Sequence, residues 1–165
     1  MTRFEELCVL DAKTQKQFSE DYETSLQLSV RFFNGLIKYL EIPPEQIEWI
    51  PLHEEIKPGQ NYGPAGAIHL REDFFYEFGV RINLCLKPSS APPRFIRLRF
   101  SVKRVDDEFI LKFGDHPETF KMHQDNEGEL KEFLEFVFEK IKEYLGKSYL
   151  WFMHQGKEPQ KIGFV

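Results

Sequence analysis

Phe78-Gly-Val-Arg-Ile-Asn-Leu-Cys-Leu86 and Phe95-Ile-Arg-Leu-Arg-Phe-Ser-Val-Lys103 alternate apolar and polar residues, and that alternation decides the fold. In an extended chain successive side chains point to opposite faces, so such a run is a strand with one buried side. The parity sends Val80, Ile82, Leu84, Ile96, Leu98, Phe100 and Val102 toward a core. It sends Arg81, Arg97, Arg99 and Lys103 the other way. An Asp106-Asp107 turn leads into a third run over residues 108–113, whose Lys112 joins the arginine side.

Outward from this centre, residues 119–122 extend the meander, and residues 47–53 and 67–70 read as short outer strands. Pro51 confines the first of these to an edge, because proline cannot donate to a ladder. Residues 57–66 are dense in glycine and proline and read as a surface loop.

Helical periodicity appears on both sides of the strands. From residue 16 to 40, Phe18, Tyr22, Leu26, Val30, Phe33, Ile37 and Leu40 recur at helical spacing, with Thr14 and Gln17 in capping-box positions. Phe4, Leu7, Val9 and Leu10, just before, fit neither period. Residues 127–145 carry Leu130, Phe133, Leu134, Val137 and Ile141 on one stripe, and Gly146 reads as a helix stop. The run Tyr149, Leu150, Trp151, Phe152 and Met153 then reads as a last buried strand or as an interface with another chain.

The expected fold is therefore a single α+β domain over residues 1–165. An antiparallel β-meander of five to six strands carries a long N-terminal and a long C-terminal helix on one face, with 156–165 as a tail.

Composition narrows the setting. A formal charge of -5 does not suit a generally basic nucleic-acid binder. Cys8 and Cys85 make no CxxC pair, and the N-terminus lacks a basic leader followed by an apolar run. Both features point to a reducing cytoplasm. No window reaches the roughly twenty apolar residues of a membrane span.

Catalytic patterns are weak. His53, His69, His116, His123 and His154 are scattered without metal-ligand spacing. Glu55-Ile-Lys57 matches the carboxylate-lysine spacing of metal nucleases, but Glu129-Leu-Lys131 does so inside a helical stretch, which shows how cheap the match is. Ser89, Ser90 and Ser148 lack the glycines of a nucleophile elbow. The sequence thus assigns no catalytic residue, no metal site and no cofactor.

Two surfaces remain as candidate sites. One is the basic sheet face of Arg81, Arg97, Arg99, Lys103 and Lys112; the other is the Tyr149–Met153 run. The expected function is an intracellular, non-catalytic interaction or adaptor module that binds a protein partner, or a second copy of itself, through the exposed sheet face or a C-terminal strand. One alternative is an apolar small-molecule binder, since seventeen phenylalanines would suffice to line a cavity. The other is nucleic-acid or anionic-ligand binding through the basic face. It is less favoured, because Phe78 and Phe100 lie on the inward parity and cannot stack bases beside the arginines.

Overall fold

The structure is a computed structural model that describes residues 1–84 and 94–154, with side chains as far as Lys147. Its elements in order are α1 (Arg3–Leu40), β1 (Ile47–Ile50), α2 (Pro64–Ala67), β2 (His69–Leu70), β3 (Tyr76–Asn83), β4 (Phe95–Val105), β5 (Glu108–Phe113), β6 (Thr119–Met122) and α3 (Glu127–His154). All strands pair antiparallel in one sheet of order β1-β3-β4-β5-β6, with β2 also against β3. The α+β meander expected from the alternation is what forms.

Register explains where the core sits. Phe78 faces Phe100, Val80 faces Leu98 and Ile82 faces Ile96, while Phe100 also faces Phe113 of β5. Paired residues share a sheet face, so these side chains form one apolar surface. Phe32 of α1 enters it with its ring centroid 4.5 Å from Phe100 and 6.1 Å from Phe78. Phe133 of α3 lies 5.4 Å from Phe32 and 5.2 Å from Phe120 of β6. Both helices therefore cover the same side of the sheet. Trp49 stacks on Phe33 at 4.4 Å and fixes the β1 edge to α1. Each fully buried side chain of this size is worth about 1.5–3 kcal/mol, so the Phe32 cluster dominates the helix–sheet contact.

Several local expectations need correction. The first helix starts at Arg3, not near residue 16. Thr2 is its N-cap: the Thr2 hydroxyl accepts from the Glu5 amide at 3.2 Å, and the Glu5 carboxylate accepts from the Thr2 amide at 2.6 Å. Thr14 lies mid-helix and donates its hydroxyl to the Leu10 carbonyl at 2.9 Å, so it caps nothing. The second helix does not stop at Gly146 but runs on to His154. Tyr149, Leu150, Trp151, Phe152 and Met153 form its last turns and not a strand. An interior glycine costs a helix only about 1 kcal/mol, which the flanking turns offset. Residues 64–67, read partly as loop and partly as strand, form the short helix α2. Leu84 follows the end of β3 and is exposed, not buried. Cys85, the connection over 87–93 and the tail over 156–165 lie outside the described residues.

Candidate functional surfaces

All five basic residues singled out from sequence fall on the sheet face opposite the helices. Arg81 stands directly across from Arg97, and Lys112 across from Ser101. Facing like charges repel, and the adjacent β1 supplies the remedy: Glu48, in register with Arg81, pairs with its guanidinium. Arg81 also lies 5.0 Å from the Phe95 ring centroid. Arg99 pairs with Asp115. Lys112 and Lys103 place their ammonium groups 4.1 and 5.4 Å from the centroid of the buried Phe75 ring. Arg97 is exposed and makes no ion pair among the described residues.

Ile50 and Leu52 fold over the middle of this face. A β-carbon on Gly79 would lie 2.6 Å from Ile50 Cγ1 and 2.8 Å from Leu52 Cδ2. Only glycine admits that approach. The structure thus brings the five cations to one side but divides them by carboxylates and apolar cover.

A different surface stands out, one that sequence periodicity did not reveal. Residues 3–20 of α1 are exposed throughout except for Thr14, and burial along the helix begins at Ser25. At 1.5 Å per residue this overhang is about 27 Å long. Phe4 is 74% exposed, Leu7 64% and Phe18 47%. Spacings of three, seven and eleven return to one face of a helix. Phe4, Leu7 and Phe18 therefore continue the stripe that, farther on, carries the buried Ser25, Ser29, Phe32 and Leu36. Asp11 and Thr14 fall on the same face between Leu7 and Phe18, so the apolar positions beyond the sheet form two separate patches, Phe4 with Leu7 at the tip and Phe18 at the root.

A groove opens at the root of the overhang. One part, of about 150 Å³, is lined by Phe18, Ser25, Leu70, Phe74, Tyr76 and Lys103. Beside it a cavity of about 500 Å³ lies between α1 and the β4–β5 hairpin, reaching Gln17, Glu20 and Asp106. Arg104 ties the hairpin to α1 through Asp21 at 3.2 Å. Ser25 Oγ is buried without a hydrogen-bond partner, and burial pushes the Tyr76 phenol above its ordinary range.

Phe74 at the rim is 61% exposed and holds a left-handed φ of 64°. That conformation costs a bulky residue about 1–2 kcal/mol. A tight turn enforces it: the Arg71 amide donates to the Phe75 carbonyl at 2.8 Å, and the Phe74 amide to the Arg71 carbonyl at 3.1 Å. The Asp73 carboxylate adds an acceptor for the Phe75 amide at 3.3 Å. The chain is strained locally to hold an aromatic ring in water.

Among the described residues the histidines do not assemble into one site. His53 and His69 meet edge-on at 4.8 Å, His116 packs on Phe136, and His123 pairs with Glu129 at 3.0 Å. Among the described residues no three His, Cys, Asp or Glu side chains are placed to hold a metal ion, and no helix is long and apolar enough to cross a membrane. The void between Phe32, Phe78, Phe100 and Phe133 is about 10 Å³, room for one water.

No protein-family model, no curated protein and no solved structure matches this chain.

Proposed function

We propose that this chain is a protein-interaction module whose binding surface is the overhanging part of α1 together with the groove at its root. One observation carries the reading: the stripe that packs on the sheet at Ser25, Ser29, Phe32 and Leu36 continues into solvent through Phe18, Leu7 and Phe4. Most helical stability in proteins comes from packing of an apolar face, and the overhanging residues of α1 have no such packing in this chain. A capping box keeps the tip helical, and the strained, exposed Phe74 stands at the root. Helix-to-surface recognition of this kind reads anchors three and four residues apart.

The exposed thiol of Cys8 suits a reducing, cytoplasmic setting. On the cationic face, Arg81 and Arg99 already hold carboxylates, which favours a flanking role over capture of a phosphate chain.

The test places a photo-crosslinking amino acid at Leu7, on the stripe, or at Lys13, on the far side of the same helix, in the full chain. Selective capture of protein from Leu7, lost when Phe18 is changed to Ser, supports the reading. Equal labelling from both positions overturns it.

A further inference from the structure

We infer that the cavity of about 150 Å³ walled by Ser25, Tyr76, Phe74 and Lys103 is a binding site for a small monocarboxylate that carries one ring-sized apolar group. Such a site needs no protein partner and stands apart from the interaction reading above. Hydrogen-bond donors, charge and volume select this ligand class.

The orphaned hydroxyl comes first. Ser25 is 0% exposed, lines the cavity, and leaves its Oγ without a hydrogen-bond partner. A serine inside a helix ordinarily donates to the carbonyl four residues back. Here that carbonyl, of Asp21, takes the Thr24 hydroxyl at 3.2 Å. Ser29, one turn on, shows the ordinary arrangement and donates to the Ser25 carbonyl at 2.8 Å. A buried hydroxyl left unpaired costs stability, so one on a cavity wall points to a ligand that accepts.

The rest of the polar wall agrees. Burial and then the Asp21 charge hold the Tyr76 phenol above its ordinary range, so it stays protonated and able to donate. Lys103 makes no ion pair among the described residues; its ammonium donates to the Asp73 carbonyl at 3.4 Å and lies 5.8 Å from the Phe74 ring centroid. Asp21, the carboxylate on this wall, is already held by Arg104 at 3.2 Å. Donors and one unneutralised positive charge remain, and a carboxylate is their complement.

The apolar wall sets the size. Phe18, Leu70 and Phe74 close the cavity, and about 150 Å³ is the space that takes a single benzene ring. Phe74 reaches this position through its left-handed φ of 64°, the kind of local strain that gathers at ligand sites. The adjoining cavity bears Glu20 and Asp106, which repel a second negative charge. The ligand is therefore a monoanion, its ring among the three apolar side chains and its carboxylate accepting from Ser25 under the charge of Lys103.

The experiment titrates the full chain with sodium benzoate at fixed ionic strength, followed by proton–nitrogen NMR. The expected result is a saturable shift of the Phe18, Ser25, Phe74 and Lys103 amides, half complete at about 1 mM or below. Benzylamine, with the same ring and the opposite charge, should bind at least about tenfold more weakly, and so should terephthalate, with its second carboxylate.

Two variants carry the decision. Ser25→Ala removes a hydroxyl that the free fold does not use, so the urea midpoint holds or rises while benzoate binding weakens about tenfold. A merely structural hydroxyl would give the reverse, a lower midpoint with unchanged binding. Lys103→Met keeps an apolar stem, removes the charge and weakens benzoate by about the same factor.

No saturable shift by about 20 mM benzoate, equal binding of benzylamine, or binding indifferent to both variants overturns the site. Crosslinking from Leu7 is untouched by any of these results, so the interaction reading stands or falls separately.

Discussion

Replacing Gly79 by valine sets two physical effects against each other, and the structure says which wins. Gly79 lies mid-strand in β3, opposite Ile50 of β1 and Arg99 of β4. Propensity alone favours the change, since a β-branched residue in a strand gains up to about 1 kcal/mol over glycine. Packing opposes it. A β-carbon would stand 2.6 Å from Ile50 Cγ1, 2.8 Å from Leu52 Cδ2 and 2.9 Å from the Ile50 carbonyl oxygen. Carbon atoms in good contact sit about 3.5–4.0 Å apart, so the overlap is about 1 Å before the two γ-methyls are added. Overpacking of this kind costs about 1–3 kcal/mol, and the backbone oxygen among the three contacts puts this site at the upper end.

The expected net loss is about 2 kcal/mol. In urea titration, with a slope of about 2 kcal/mol/M, the midpoint falls by about 1 M. Ile50→Ala, costly in the parent protein, should cost less in the Gly79→Val background by about 0.5–3 kcal/mol, because it removes the clashing partner. A Gly79→Val protein as stable as the parent would falsify the placement of Ile50 and Leu52 over the strand, and with it the division of the cationic face.

Other outcomes follow from the same geometry. Phe32→Ala empties the point where α1, α3 and the sheet meet and should cost about 3–5 kcal/mol by the same titration. Asp21→Asn breaks the half-exposed pair with Arg104 and should change stability by less than about 1 kcal/mol; a larger loss would show that the hairpin is held mainly by that ion pair.

His123 has its pKa raised above the ordinary 6.5, first by its hydrogen bond to Glu129 and then by that residue's charge. Glu129 is lowered below the ordinary 4.5 by the same bond. The His123 contribution is fully present below pH 6.5 and fades as pH climbs through the raised value. That of Glu129 is present above pH 4.5 and fades as pH falls through the lowered one. The link at the start of α3 is therefore strongest between those limits. NMR titration of the ring should give a His123 pKa above 6.5, dropping back in Glu129→Gln.

The strands were legible because alternation over β3 and β4 has no competing reading: Val80, Leu98 and Phe100 must share a side, and every arginine between them must take the other. The α3 stripe was legible for the same reason, whereas on α1 the deepest burial falls at Leu28, Phe32 and Leu36. Of the stripe expected there only Phe33 is buried, with Tyr22, Leu26, Val30, Ile37 and Leu40 packing at its margin. Local punctuation failed too. Thr14 looked like a cap because a hydroxyl three residues before a glutamine has the right form, yet the true cap, Thr2, reaches Glu5 by the same rule. Gly146 looked like a stop, but a glycine in mid-helix is only a modest cost.

The overhang was missed for a more instructive reason. Periodicity says that Phe4, Leu7 and Phe18 lie on a face with Phe32, and is silent on whether the sheet extends far enough to meet them. The five cations show the converse limit. Parity put them on one face, but pairing with Glu48 and Asp115 depends on segments whose path the sequence does not reveal.

α1 contains neither glycine nor proline before Gly35, so its amides form one unbroken column fastened at a single end. Near Thr2 each opens by local unzipping, turn by turn, whereas beyond Ser25 an amide must wait for the core to come apart. Deuterium uptake in the free chain should therefore slope from fast to slow along this one helix. Whatever grips the tip flattens that slope, turning a single peptide map into a gauge of occupancy.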